Sequence, residues 1–215
     1  MILKCLNIFI ILAVLSGPFY RVIGQEVDSL YYESGAVKSY GVLIDSSRVG
    51  EWLTFYPSGV KNVVEHYDQG KLTDSVIYYY PSGAIKAKEK WQYGSLVDSA
   101  IYFHPNGGIE KTGRYKDSEY DGRWFFYFEN GSRRQVGEYY DGLPHGYWKF
   151  FNEDGRSSQE GSYQQGIKEG EWIYYDEKGF KTYQGSYAND EMIGEWYYYN
   201  KRGTAKAIDP KAIPN

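Results

Sequence analysis

Gly122-Arg123-Trp124-Phe125-Phe126-Tyr127-Phe128-Glu129-Asn130-Gly131, followed by Gly137-Glu138-Tyr139 and then Asp141-Gly142, is the stretch on which the fold of this chain turns. The aromatic run from Trp124 to Phe128 is bounded by Gly122 and by Asn130-Gly131. Aromatic residues fit a pleated, half-buried surface, and a turn glycine takes a positive φ without steric cost, so the run reads as a strand entering a tight turn. A second strand returns through Gly137 and Tyr139 to another turn at Asp141-Gly142. Two strands and two turns fill one unit, so the unit is a β-hairpin. No segment free of Gly and Pro is long enough for a stable helix.

Outward from this stretch the turn glycine recurs every 24 residues, as Gly35, Gly59, Gly83, Gly107, Gly131, Gly155, Gly179 and Gly203. Fixed self-similarity at such a period marks a repeat protein. Seven residues before it stand Trp52, Val76, Ala100, Trp124, Trp148, Trp172 and Trp196, and four before it every residue is aromatic. Nine before it are Gly50, Asp74, Asp98, Gly122, Gly146, Gly170 and Gly194. A second glycine column is expected only in the later copies, at Gly113, Gly137, Gly161 and Gly185, with an aromatic two residues beyond it. The other turn carries Gln69-Gly70, Tyr93-Gly94, Asp141-Gly142 and Gln165-Gly166.

An isolated hairpin is marginal in water, so consecutive hairpins should pair edge to edge. The expected fold is all-β: an elongated single-layer antiparallel β-meander of about eight hairpins. About sixteen strands at ~4.8 Å would extend on the order of 70 Å. Side chains alternate faces, so each tryptophan shares a face with the residue two later, and the aromatic three later lies on the other. The second glycine leaves a gap over which a cross-strand tryptophan can lie. Burying such a ring, ~200 Å² at ~25 cal/mol per Å², contributes ~5 kcal/mol gross. That accounts for the aromatics without a ligand. Aromatics make up 19% of the chain, which suits a single layer whose tyrosines bury a ring and keep the hydroxyl wet.

The start of the chain differs. Lys4 precedes an apolar run from Leu6 to Leu15, Ser16-Gly17-Pro18 breaks it, and Gly24 stands before Gln25. Residues 1–24 read as a secretory signal peptide, too short to span a membrane. Cys5 precedes the apolar run, so it is not a lipidation site. Removing residues 1–24 takes away the only cysteine with Lys4 and Arg21, leaving 22 basic against 28 acidic residues, a net of −6. An acidic surface argues against nucleic acid and gives no support to binding at anionic lipid. The expected repeat domain is 25–205, with divergent copies to about 107 and regular ones over 108–205. Residues 206–215, with Pro210 and Pro214, are expected to be a frayed tail. The location implied is periplasmic, cell-surface or secreted.

The units Gly122-Arg-Trp124-Phe-Phe-Tyr-Phe-Glu-Asn-Gly131, Asp141-Gly-Leu-Pro-His-Gly146-Tyr-Trp148 and Gly170-Glu-Trp172-Ile-Tyr-Tyr resemble MORN repeats, and most closely the bacterial variant labelled antitoxin-like. The resemblance covers nearly the whole mature chain. It implies an antiparallel β-meander and a membrane-associated or partner-binding scaffold. An antitoxin meets its toxin in the cytoplasm, which sits poorly with export. The chain departs from the pattern where Val76 and Ala100 replace tryptophan, Asp74 and Asp98 replace glycine, and Glu65 and Glu89 occupy the second glycine positions. Drift, or capping by atypical repeats, explains such copies. The sharper expectation is that residues 60–110 read a partner, with Tyr78, Tyr102, Asp74, Asp98 and Trp91 as candidate binding residues.

Catalysis is not expected. His66, His104 and His145 fall in different phases of the repeat, whereas a metal site gathers three or four ligands. Glu51, Glu171 and Glu195 recur in Gly-Glu-Trp triplets, but equivalent carboxylates two strands apart stand about 9.6 Å from each other on a ladder without a cleft. Ser75 and Ser99 lack a nucleophile elbow, and the glycines punctuate strands rather than open helices. No cofactor or metal is expected. Recognition remains: an exported scaffold with rows of Tyr and Trp as protein anchors. Glycan binding by exposed coplanar rings and self-association through open edge strands are the alternatives.

Overall fold

A computed structural model of the chain describes residues 24–213. Apart from Gly24, the expected leader lies outside them. The described residues form seventeen β-strands and one 3-10 turn, with no α-helix among them. The chain divides at Val97/Asp98 into two compact units. The first holds β1 (Gln25–Tyr31), β2 (Val37–Ile44), β3 (Ser47–Phe55), β4 (Lys61–Asp68), β5 (Lys71–Leu72), β6 (Asp74–Tyr79), β7 (Ile85–Gln92) and the start of β8 (Ser95–Phe103). In it β1 pairs with β2, β2 with β3, β3 with β4, β4 with both β5 and β6, and β6 with β7, all antiparallel. The second unit continues β8 into β9 (Ile109–Lys116), β10 (Glu119–Tyr127), β11 (Arg133–Tyr140), β12 (Leu143–Phe151), β13 (Ser157–Gln164), β14 (Ile167–Tyr175), β15 (Lys181–Ala188), β16 (Glu191–Tyr199) and β17 (Ala205–Ile208). There each strand pairs antiparallel with the next.

The turn glycine does what the period requires. Gly131 sits at φ 84° and its N–H donates to Phe128 O at 2.9 Å, while Phe128 N–H donates to Ser132 O at 2.9 Å. This is a three-residue loop closed by a left-handed residue, a geometry that costs glycine least. The opposite turns are two-residue loops with both residues left-handed, such as Asp141 (φ 48°) and Gly142 (φ 75°). Three more close without glycine, at Asp45-Ser46, Asp117-Ser118 and Asn189-Asp190. Asp and Asn tolerate this region by bonding locally, which is why no glycine marks these turns.

Two departures from the expected count have local causes. Thr73 interrupts the strand opposite β4, its N–H donating to His66 O at 2.8 Å, and splits it into β5 and β6. The expected frayed tail is instead built: β17 pairs with β16, setting Ile208 opposite Trp196. Asp209 then caps the 3-10 turn Pro210–Ala212, its Oδ1 accepting from Lys211 N at 3.0 Å. Ile208 and Ile213 pack against the buried cluster of Trp172, Tyr187 and Trp196. This segment covers the outer edge of β16, the last tryptophan strand among the described residues.

Candidate functional site

In both units the face carrying the tryptophans is closed. A Cβ built on Gly41, Gly113, Gly137, Gly161 or Gly185 would lie 2.0–2.2 Å from the ring of Trp52, Trp124, Trp148, Trp172 or Trp196. Each ring therefore covers a bare stretch of the preceding strand, eleven residues back. Gly41 belongs to this column, which corrects the expectation that it begins only in later copies. The indole N–H groups of Trp52, Trp124, Trp148 and Trp172 donate to the carbonyls of Val42, Arg114, Glu138 and Ser162 at 2.9–3.2 Å. The Trp196 N–H is buried with no partner among the described residues. Tyrosines meet the rings edge-on, as Tyr139 does Trp148 at 5.0 Å and 82°. Cations lie over them: the Arg48 guanidinium is 4.2 Å from Trp52 and the Lys168 ammonium 4.3 Å from Trp172, where burial lowers the Lys168 pKa. The five rings are 0–2% exposed. None of these five rings can be an exposed anchor, because the sheet consumes them.

Where the tryptophan is lost, the glycine is lost with it. Val76 follows Glu65 by the same eleven residues, and Ala100 follows Glu89. In the first unit Glu89 stands opposite Val76 in register and accepts from Trp91 Nε1 at 3.0 Å. The Tyr78 hydroxyl bonds to Glu89; burial first, then that carboxylate, drives the phenol pKa far up. Asp74 lies opposite Trp91. Two of the five candidates, Tyr78 and Trp91, thus meet at Glu89, with Asp74 in register beside Trp91. The glycine column carries the only sequence sign of Glu89. Asp98 and Tyr102 belong to the second unit. Asp98 Oδ1 accepts from Ser99 N at 2.8 Å, and Tyr102 shares a 3.1 Å hydroxyl contact with Tyr115 under the Lys111 ammonium, 4.2 Å from its ring. Asp74 and Asp98 both sit at φ 58°, the left-handed bulge that glycine fills in the other copies.

The opposite face of the second unit has a different character. At one height along alternate strands it presents Arg123 on β10, Tyr147 on β12, Glu171 on β14 and Glu195 on β16, all exposed. Between them Glu160, 9% exposed, accepts from the Tyr175 hydroxyl at 2.5 Å and pairs with Lys149 at 2.9 Å. Burial pushes the Glu160 carboxyl up, but the bonds from Tyr175, Lys149 and Tyr147 outweigh it and hold the pKa below the carboxylate norm. Burial and the Glu160 charge push Tyr147 up to about 12. A carboxylate pinned ionised among donors is a structural knot, since general-acid work needs a raised pKa.

Residues 48–72 and 120–140 match the family model described as the MORN repeat variant. These two stretches are MORN-variant repeats. The match at residues 120–140 takes in β11 and most of β10, the tryptophan strand and the glycine–tyrosine strand of one MORN hairpin. No curated protein matches the chain. Among solved structures it is similar to accessory secretory proteins 1, 2 and 3 of Streptococcus pneumoniae, at 16% identity and TM-score 0.20, over 58% of this chain and 18% of that one. It is also similar to a TcdB2–TccC3–Cdc42 structure at 11% identity and TM-score 0.19, over 86% of this chain and 14% of that one. The chain spans less than a fifth of the length of either.

The histidines serve the hairpins. His104 Nε2 contacts Tyr127 O, 23 residues on, at 3.0 Å, as the hydroxyls of Tyr32 and Tyr56 donate to Phe55 O and Tyr79 O at 2.7 and 2.8 Å. His66 Nδ1 contacts Ser75 O at 3.0 Å, and the exposed His145 ring lies 5.9 Å from Tyr140. Among the described residues no three of His, Cys, Asp and Glu are grouped as a metal would need. No helix among them is long and apolar enough to cross a membrane.

Proposed function

We propose that this chain is an exported, non-enzymatic MORN-repeat scaffold that holds a protein partner on the sheet face opposite its tryptophans. One observation carries the reading. The tryptophan face repeats the same buried contacts, whereas the row Arg123, Tyr147, Glu171, Glu195 keeps one backbone position and passes from a cation through a phenol to two carboxylates. A fixed frame with variable exposed side chains is how repeat proteins write specificity. Export rests on the leader-like residues 1–24.

Glycan binding ranks second, because stacking sugars needs two or three exposed rings in line and the row offers only Tyr147. An antitoxin-like role sits poorly with export. The test is affinity capture from an envelope fraction with the chain as bait. A bound protein lost on charge reversal at Arg123, Glu171 and Glu195, with far-UV circular dichroism unchanged, is the expected result. Binding of polysaccharide with no protein captured would sink the proposal, and a chain retained whole in the cytoplasm would remove export from it.

A further inference from the structure

We infer that the face of the second unit opposite the tryptophans is self-complementary and docks a second copy of this chain; this rests on the reading above, that this face recognises protein. The row runs from Arg123 on β10 to Glu195 on β16, basic at one end and acidic at the other. Let a two-fold axis run along β13 between two such faces. Then β10 lies over β16 of the second copy and β12 over β14. Arg123 meets Glu195 of the second copy and the reverse, as a closed two-fold interface requires. One step along the strands Phe125 meets Tyr197, and nearer the axis Tyr147 meets Glu171. Ser162, in register with Tyr147 and Glu169, lies on the axis and is small enough to let the faces close.

The charges this arrangement would join have no ionic partner among the described residues of their own chain. The Arg123 guanidinium lies 5.6 Å from the Phe125 ring and pairs with no carboxylate among the described residues. Glu171 accepts from Gln184, and Glu195 from the Tyr197 hydroxyl, so each is held by a neutral donor. Glu160, also near the axis, is already neutralised by Lys149. Arg133 and Lys181 fall opposite each other at the strand ends, where water screens them; each leans on its own ring, Phe125 at 5.4 Å and Tyr199 at 4.9 Å. From β10 to β16 the face spans six strand spacings of about 4.8 Å, and nine-residue strands run about 30 Å. The product, roughly 900 Å² per copy, matches the ~800 Å² each partner gives to a standard interface.

Sedimentation equilibrium and native mass of the purified chain test this. The wild type should weigh two chains at micromolar concentration. Arg123→Glu alone and Glu195→Arg alone should each weaken the dimer at least about tenfold, since like charges then face each other at both contacts. Mixing the two variants in equal amounts should restore wild-type affinity, because both contacts then join opposite charges; misfolded variants could not do this. Failure of the mixture to re-associate overturns the inference. A monomeric wild type that still captures a different envelope protein, and loses it on Arg123→Glu, overturns the dimer and leaves the scaffold reading standing. A monomer that captures nothing overturns both.

Discussion

At the scale of the residue, the fold rests on a tryptophan lying where a glycine has no side chain. Because Trp172 passes 2.2 Å from the place a Gly161 Cβ would take, Gly161→Glu should force ring and backbone apart and cost roughly 3 kcal/mol. Trp172→Val alone removes a fully buried ring and should cost about 3–5 kcal/mol. The double variant recreates the Glu65/Val76 combination of the first unit, so it should be more stable than the sum by about 1–3 kcal/mol. Urea unfolding of the four proteins measures this, and strict additivity would mean that the Glu and the small residue do not compensate. The pairing was legible in the spacing, since both columns keep the period. Gly41 escaped because the residue two beyond it is Leu43 rather than an aromatic. The direction of the ring, onto the preceding rather than the following strand, is set by backbone geometry and leaves no mark in composition.

At the scale of the element, most strands announced themselves and the last did not. Strands bounded by Pro-Ser-Gly or Asp-Gly carry their turns in the sequence, whereas β17 is four residues long and lies outside the repeat. Its apolar residues, Ile208 and later Ile213, have no counterparts in the other copies, and Pro210 there reads as an end of structure rather than the start of a 3-10 turn. Yet both isoleucines cover the Trp196 cluster, and each such burial contributes about 1.5–3 kcal/mol when complete. A chain ending at Thr204 should therefore lose about 2–4 kcal/mol, with a red-shifted tryptophan emission as Trp196 meets water. Unchanged urea midpoint and emission would show that the segment rests on the sheet without supporting it. The candidate residues were legible in a similar, partial way: Tyr78 and Trp91 both bond to Glu89 and Asp74 stands opposite Trp91, but Glu89 was visible only as a missing glycine.

At the scale of the whole molecule, the chain's 25 tyrosines set how stability responds to pH. Burial, helped by the neighbouring Tyr120 and Tyr163, pushes Tyr139 up to about 12, and burial drives Tyr147 to about 12 as well. Burial raises Tyr67 and Tyr163 in the same direction and takes Tyr174 and Tyr175 further. A phenol whose pKa is higher folded than unfolded favours the folded state while neutral. Its contribution is complete below the unfolded value of 10.0 and is lost as pH climbs toward the folded one. Glu160 acts at the other end with the opposite sign: its lowered pKa stabilises above the ordinary carboxylate value and that contribution disappears as pH falls through the folded one. Stability should then be level from about pH 5 to about pH 10 and fall between 10 and 12. Urea midpoints measured across that range should bend downward near 10. Tyr139→Phe removes one of the linked protons and keeps the ring, so its midpoint should decline less steeply from 10 to 12 than that of the wild type. If the two curves stay parallel, the Tyr139 hydroxyl is as wet in the folded sheet as in the unfolded chain, and the aromatic face is more open than its buried tryptophans imply.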